Sequence, residues 1–242
     1  MGKVRHVRIR RLLHVDELDA ASRFEGEIWG ASDPTPRPLL LVFAHHGGIV
    51  LGAYHQNDLV GLSLGFPAID QNGHTYLHSH LLGVRPQFRG GGIGTSLKQA
   101  QRDYAKSQRL SYIGWTYDPL LAANAWFNLG VLGARVDALQ ANAYGRLDDQ
   151  INGALPTHRF WVTWSTEGLS SLVSTEESTR MMPIPPDVGE LRQKNPKAAS
   201  EQADTWFAEA RRWWEQGWRV QGVRRSGGVV CYDWIKQEGK RS

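Results

Sequence analysis

Two histidines, His78 and His80, alternate with Ser79 in "HSHLLGV", and a little further on the chain reads "RGGGIGTSL". If the first stretch is a strand, its period of two sends both imidazoles to one face. A side chain with a pKa of ~6.5 placed there can exchange a proton near neutral pH. The same pair can instead be buried and hydrogen-bonded to backbone. The second stretch offers different chemistry. Gly90, Gly91, Gly92 and Gly94 lie between an expected strand and an expected helix, so backbone N–H groups gather at a helix N-terminus uncovered by side chains. Free amides and the positive end of the helix dipole make an anion site, for which phosphate is the natural ligand.

Three phosphate-binding layouts can be compared with this loop. A P-loop needs Lys followed by Ser or Thr directly after its last glycine, where this chain has Thr95 and Ser96, so that layout fails. A dinucleotide fingerprint needs G-x-G-x-x-G near the start of a βαβ unit and an acidic residue closing the next strand, which is a poor match. The third layout, R-x-x-G-x-G after a strand ending in apolar-Gly-Val-x-Pro, fits Arg89, Gly92 and Gly94 directly.

The elements that would hold these residues follow from period and turn signals. "VDELDAASRFEGEIW" has apolar residues at helical spacing with Asp16 and Glu17 in its first turn, "DPTPRP" ends it, and "LLLVFAHH" is a short helix. "GIVLGAY", "DLVGLSLGF" and "HTYLHSHLLGV" are strands joined by the turns "HQND" and "DQNG". The glycine loop opens an amphipathic helix carrying Leu97, Ala100, Gln101 and Tyr104, followed by strand "LSYIGWTY", helix "LLAANAWFNLGVLG", and strands "ARVDALQANAY" and "RFWVTWS". A Ser-, Thr- and Pro-rich stretch without periodicity then precedes a Trp-rich helix and a hairpin around "SGG". The order defines an α/β or α+β chain with domain 1–166, a linker or wrapping arm 167–186, and a helix-hairpin subdomain 187–242 packed on the main domain. Trp206, Phe207, Trp213 and Trp214 form a broad face that needs a cover, either the main domain or a second subunit in a homodimer.

Composition narrows the classes. With 41% apolar and 21% charged residues in a chain of 242, the composition sits close to the globular average and speaks against disorder and coiled coil. The basic start (Lys3, Arg5, Arg8, Arg10, Arg11) alternates with Val7 and Ile9, which suits an edge strand with a solvated face better than nucleic-acid binding. A single Cys231 forms no internal disulfide. "LLLVFA" is too short to span a bilayer, and neither a signal peptide nor a membrane role is expected. A cytoplasmic protein is the expectation. His45 and His46 are adjacent and cannot both point inward, so no metal site is expected.

"LLGVRPQFRGGGIGTSL" resembles the acyl-CoA binding motif of the GNAT superfamily of N-acyltransferases, and the element order from about residue 4 to residue 165 is similar to that superfamily. The resemblance implies a mixed, mostly antiparallel central sheet flanked by helices, with the C-terminal helix and hairpin as an extension. It also implies acetyl-CoA or another acyl-CoA as cosubstrate. The amides of Gly90, Gly91, Gly92, Ile93, Gly94 and Thr95 would hold the pyrophosphate, and the main chain of Leu82 and Val84 would pair with the pantetheine arm where neighbouring strands splay. Arg85, Arg89 and Lys98 are available for the remaining phosphate charge or as surface residues.

Acyl transfer to an amine needs the amine unprotonated. For a Lys-like amine only about 1 molecule in 2,500 is neutral at pH 7, a deficit of roughly 4.6 kcal/mol. "HSHLLGV" is similar to the H-x-H-x-L-x-V stretch of the arylalkylamine N-acetyltransferases, which implies His80, with His78, as catalytic base and relay. Superfamily members often supply a tyrosine as acid, and aligning Gly133 and Ala134 puts Leu129 at its position; Tyr117, Tyr144 or solvent would have to substitute. Asn124 and Asn128, at i and i+4, could bond coenzyme or substrate, or be ordinary helix residues. Longer stretches resemble a bacterial branch of predicted acetyltransferases, some associated with acylation, including succinylation, of amino acids. A small amine or amino acid is therefore the expected acceptor, with Arg159 as carboxylate clamp or surface ion pair. His158 stands where that branch usually has an acid. The competing class is a non-catalytic acyl-CoA-binding regulatory module.

Overall fold

The computed structural model describes residues 7–30, 34–145, 155–167 and 179–237. Lys3, Arg5 and the larger part of the Ser/Thr-rich stretch lie outside them. The chain divides into two compact units: Met1–Trp115 with Asp148–Ile151 and Ser165–Gly168, and Thr116–Leu147 with Asn152–Trp164 and Leu169–Ser242.

The first unit contains β1 (Val7–Arg11), α1 (Val15–Trp29), α2 (Arg37–His45), β2 (Ile49–His55), β3 (Asp58–Ile69), β4 (Thr75–Val84), α3 (Ile93–Ser107) and the start of β5 (Tyr112–Tyr117). β1 pairs with β2, β2 with β3 and β3 with β4, all antiparallel, whereas β4 and β5 are parallel. β1 is an edge strand, as its alternation predicts; Arg8 is exposed, while Arg10 pairs with Glu17 and Arg11 donates to the Ala44 carbonyl at 3.2 Å. α1 begins in a capping box, where the Glu17 carboxylate accepts the Leu13 and His14 amides at 3.0 and 3.1 Å, and ends at Gly30 with φ 62°. Its Leu18, Ala21 and Phe24 join Leu40 and Ala44 of α2 and Leu62 and Leu64 of β3 in one core cluster. Gly61 alternates with Leu62 and so faces the other way, where a Cβ would come within 3.2 Å of Ile93 and Leu97 of α3. Helices thus cover both faces of this sheet.

The second unit holds α4 (Ala122–Ala125), a π-helical turn Trp126–Val131, β6 (Arg135–Gln140), β7 (Arg159–Ser165), β8 (Thr179–Pro183), α5 (Val188–Lys194), α6 (Pro196–Glu215), β9 (Trp218–Ser226) and β10 (Val229–Lys236). β6 pairs antiparallel with β7, and β10 lies antiparallel between β8 and β9. The aperiodic stretch gave no hint of β8, and α5 was also missed. Where one long helix was expected after β5, a single α-turn runs into the π-turn. Trp206 and Phe207 are buried as their spacing predicts, while Trp213 and Trp214 are half-buried. Tyr117, Phe160, Trp206 and Tyr232 pack together, and the Tyr232 hydroxyl donates to the Pro119 carbonyl at 2.8 Å. Arg192 of α5 meets Asp118 at 2.6 Å, with side chains only 12% and 10% exposed. Together the units give the mixed, mostly antiparallel architecture expected. Among the described residues no helix is long and apolar enough to cross a membrane.

Candidate active site

His80 does not sit in regular β-structure. Leu64 faces Leu81 and Gly65 faces Ser79, so β4 carries one extra residue at this point, and that residue is His80. A bulge of this kind re-aims its side chain and increases local twist. Both imidazoles nevertheless stay on the α1/α2 side of the sheet. Their ring centroids are 6.3 Å apart, and they lie 5.1 Å (His78) and 6.0 Å (His80) from Phe66, which is itself stacked on Phe43. His78 is half-buried. Loss of water pushes its pKa down to about 4, with the charges of His80 and Lys98 adding to the effect. His80 has an exposed edge, yet protein crowds the ring enough to lower its pKa too, through desolvation opposed by the negative charge of Glu25. At neutral pH both rings are therefore free of the extra proton, and His80 is the more accessible.

Registered pairing between β4 and β5 is confined to Leu77↔Ile113 and His78↔Gly114. β4 continues through Leu82 to Val84 beyond the last of these pairs, so among the described residues its main chain has no registered partner in β5 there, although the Val84 carbonyl accepts from Arg89 Nε at 3.0 Å. A chain-like ligand carrying amides can pair there as an added strand.

Arg89 then leads into the glycine loop. Gly90 and Gly92 have φ of 78° and 80°, values that favour glycine, and among the described residues beyond the immediate chain neighbours no atom lies within 4 Å of where a Cβ would stand on either. The constraint is thus backbone conformation with open space beside it. Gly92 is the N-cap of α3, and no side chain caps the helix. Ser96 makes the first backbone bond of the turn, to the Gly92 carbonyl at 3.0 Å, which leaves the amides of Ile93, Gly94 and Thr95 ahead of it as the helix's orphan donors. Arg89 is exposed and donates Nε to the Val84 carbonyl at 3.0 Å, tying the loop to the end of β4. Arg85 is committed elsewhere, with Nε on the Leu59 carbonyl and an ion pair to Glu27 at 2.7 Å.

Lys98 corrects the sequence reading. It is 2% exposed and turned into the protein, where Nζ donates to Ser79 Oγ at 2.8 Å and lies 3.5 Å from the Trp115 ring centroid. Ser79 in turn donates to Gln101 Oε1 at 2.9 Å. Burial drives the Lys98 pKa well below its ordinary value, so this residue is no surface phosphate ligand.

The remaining candidates belong to the second unit. Asn124 is half-buried in α4, and Asn128 is 4% exposed within the π-turn, so the i,i+4 face of a regular α-helix does not apply to them. Leu129 shares that turn. Arg159 is 7% exposed, with a guanidinium nitrogen on the His158 carbonyl at 2.9 Å and its charge over the Tyr144 ring, so it is a buried residue and not a surface one. His158 accepts the Asn142 amide at Nδ1 and presents Nε2 to Asp204 at 2.9 Å, stacked on Phe207. Tyr117 is a core residue: burial raises its pKa, and its hydroxyl is 3.2 Å from that of Tyr232, so it is a poor proton donor. Tyr144 is 46% exposed and bonds Thr116 Oγ1 at 2.7 Å.

Within residues 78–94 the first unit thus carries a pair of imidazoles, a strand end without a registered partner in β5 and a helix N-terminus of glycine-enforced geometry. Residues 14–131 match the family described as the acetyltransferase (GNAT) family, and the chain carries a GNAT acetyltransferase domain, the class that moves an acyl group from acyl-CoA to an amine. Solved structures agree on the fold. The ribosomal-protein-S18-alanine N-acetyltransferase of Escherichia coli superposes with a TM-score of 0.52 at 12% identity, covering 70% of this chain and 100% of that one. Arabidopsis thaliana NAA60 in complex with acetyl-CoA gives 0.55 at 11% identity, with 67% and 100% covered. An N-acetyltransferase from Staphylococcus aureus Mu50 gives 0.52 at 14% identity, with 67% and 99% covered. Comparison with curated proteins returned no match.

Proposed function

We propose that the protein transfers an acetyl or succinyl group from its CoA thioester to the amine of a small molecule, with an amino acid as the leading acceptor. The observation that carries this reading is the bulge that places neutral His80 beside neutral His78, directly before the end of β4 that has no registered partner in β5. In this scheme the loop amides from Gly90 to Thr95, with Arg89 beside them, hold the pyrophosphate, and Leu82 and Val84 pair with the pantetheine arm. Proton transfer from the incoming ammonium to His80, directly or relayed through His78, frees the lone pair for attack on the thioester carbonyl. The tetrahedral adduct sheds the remaining proton of its charged nitrogen to solvent as it collapses, and the departing thiolate takes a proton from solvent, since Leu129 cannot donate and Tyr117 is held in the core. Arg159, with Asn124 and Asn128, is the candidate group for an acceptor carboxylate or the coenzyme amides. Screening acetyl- and succinyl-CoA against amino acids and simple amines, with free thiol as readout, tests the proposal. Acceptor-dependent thiol release supports it. Tight CoA binding with no release for any acceptor refutes it and favours the binding-module reading, for which the absence of a tyrosine at Leu129 speaks.

A further inference from the structure

The acids of α1 are not alike. Glu17 pairs with Arg10, Asp19 with Arg37 at 3.2 Å and Glu27 with Arg85 at 2.7 Å, while Asp16 lies exposed in the first turn. Glu25 is half-buried and has no basic partner among the described residues. Its Oε1 accepts from the Thr35 hydroxyl at 3.1 Å, and Thr35 is itself held by Ser22 Oγ on its carbonyl at 2.9 Å. Its other oxygen, Oε2, is buried with no hydrogen-bond partner among the described residues. Leaving a carboxylate oxygen in that condition is costly unless a cation or donor arrives at some stage. Glu25 lies one turn before Ile28 and Trp29, and a Cβ on Gly83 would come within 3.1 Å of both, so the face of α1 that carries Glu25 lies against β4 just past the bulge, where its charge acts on His80.

We infer that Glu25 is the counter-ion of His80: its carboxylate, fixed through Thr35, stabilises the imidazolium formed when His80 accepts the proton of the acceptor amine. This inference rests on the transferase reading for its purpose but not for its test. The proton balance is simple. The ammonium loses a proton, His80 gains it, and the new positive charge arises beside a carboxylate whose second oxygen has no donor. Because protein crowds both groups, such a pair is screened less than one on the open surface. Glu25 does not touch substrate in this scheme; it is a positioning and electrostatic residue acting through His80. The surroundings of His80 leave it that role: β3 contributes Phe66, β4 contributes His78, α2 reaches Phe66 through Phe43, and the charge of Lys98 on α3 is felt at His78.

Glu25→Gln keeps an acceptor for Thr35 and removes the charge. In the full-length protein, NMR titration of the imidazole signals should show the His80 midpoint moving to lower pH in this variant, with His78 much less affected. If the wild type transfers acyl groups, kcat should fall about tenfold, the acidic limb of the kcat/KM profile should shift to lower pH, and the KM for acetyl-CoA should hold. Glu25→Asp should recover part of the loss. An unchanged His80 midpoint in a folded Glu25→Gln protein overturns the inference whatever the activity. A shifted midpoint in a protein that transfers nothing leaves the couple standing and removes the transferase reading instead.

Discussion

Replacing Gly92 by alanine separates what the loop does for the fold from what it does for the ligand. Gly92 has φ 80° and ψ 0°, and among the described residues beyond its chain neighbours nothing stands within 4 Å of the new Cβ. The folded-state penalty is then the left-handed conformation alone, ~1–2 kcal/mol, offset by ~0.4–1 kcal/mol from the stiffer unfolded chain. The net loss is about 1 kcal/mol, which for a domain of this size lowers Tm by ~2–4 °C. Gly91 supplies the control, because its φ is not positive and its Cβ would be 3.6 Å from the Phe88 carbonyl, an ordinary contact. Gly91→Ala should therefore leave Tm unchanged or slightly raised. CoA affinity should respond differently: a methyl group on Gly92 intrudes into the space where a phosphate approaches the amides, and Kd should rise at least tenfold, a loss of about 1.4 kcal/mol or more. Scanning fluorimetry and calorimetry on the two variants give both numbers. A Gly92→Ala protein with a Tm lower by 10 °C, or with undiminished CoA affinity, would refute the reasoning, the first by revealing a clash that the geometry lacks and the second by removing the phosphate from the loop.

Other expectations concern single side chains. His80→Ala should lower kcat by a factor of ~10² with little change in CoA affinity, and the deficit should shrink as pH rises and the amine deprotonates unaided; equal activity at all pH values would return His80 to a structural role. Lys98→Met should raise Tm at pH 7, because it removes a buried amine while keeping contact with Trp115. Since the folded pKa of Lys98 is depressed, the unfolded chain binds more protons between that value and ~10.4, so the wild type gains stability with rising pH and the advantage of the variant should fade toward pH 10; a variant less stable at pH 7 contradicts this. Arg192→Ala should cost ~3–5 kcal/mol in urea denaturation by leaving the Asp118 carboxylate buried without its partner, and a loss below about 1 kcal/mol would show that solvent reaches Asp118.

Period and turn chemistry made most elements of the first unit legible, because α1 and α3 each bury one regular face while β2 and β3 are short apolar runs buried on both faces and bounded by turns. The glycine loop was legible for the same reason: a left-handed backbone at an N-cap leaves few residue types to choose from. What stayed hidden depends on register and on contacts between distant segments. The bulge at His80 is one extra residue in an otherwise alternating strand, and alternation alone cannot show it. Lys98 looks like a helix-surface cation until Ser79 and Trp115, on two different strands, are seen to enclose it. Glu25 differs from Glu27 and Asp19 only in which arginines the fold brings near. Tyr117 reads as a strand-end hydroxyl, and it is Tyr232, more than a hundred residues away, that makes it a core residue. β8 escaped notice because a five-residue strand paired to β10 needs no hydrophobic period of its own.

The most direct test of the central claim is a backbone-amide NMR titration of the wild-type protein with CoA and with acetyl-CoA. The account predicts that the amides from Gly90 to Thr95, together with those of Leu82 and Val84, shift with both ligands, and that the imidazole signals of His80 respond to the acetyl thioester more than to the free thiol. Shifts confined to other parts of the chain, with the glycine loop and β4 unmoved at saturating CoA, would contradict it.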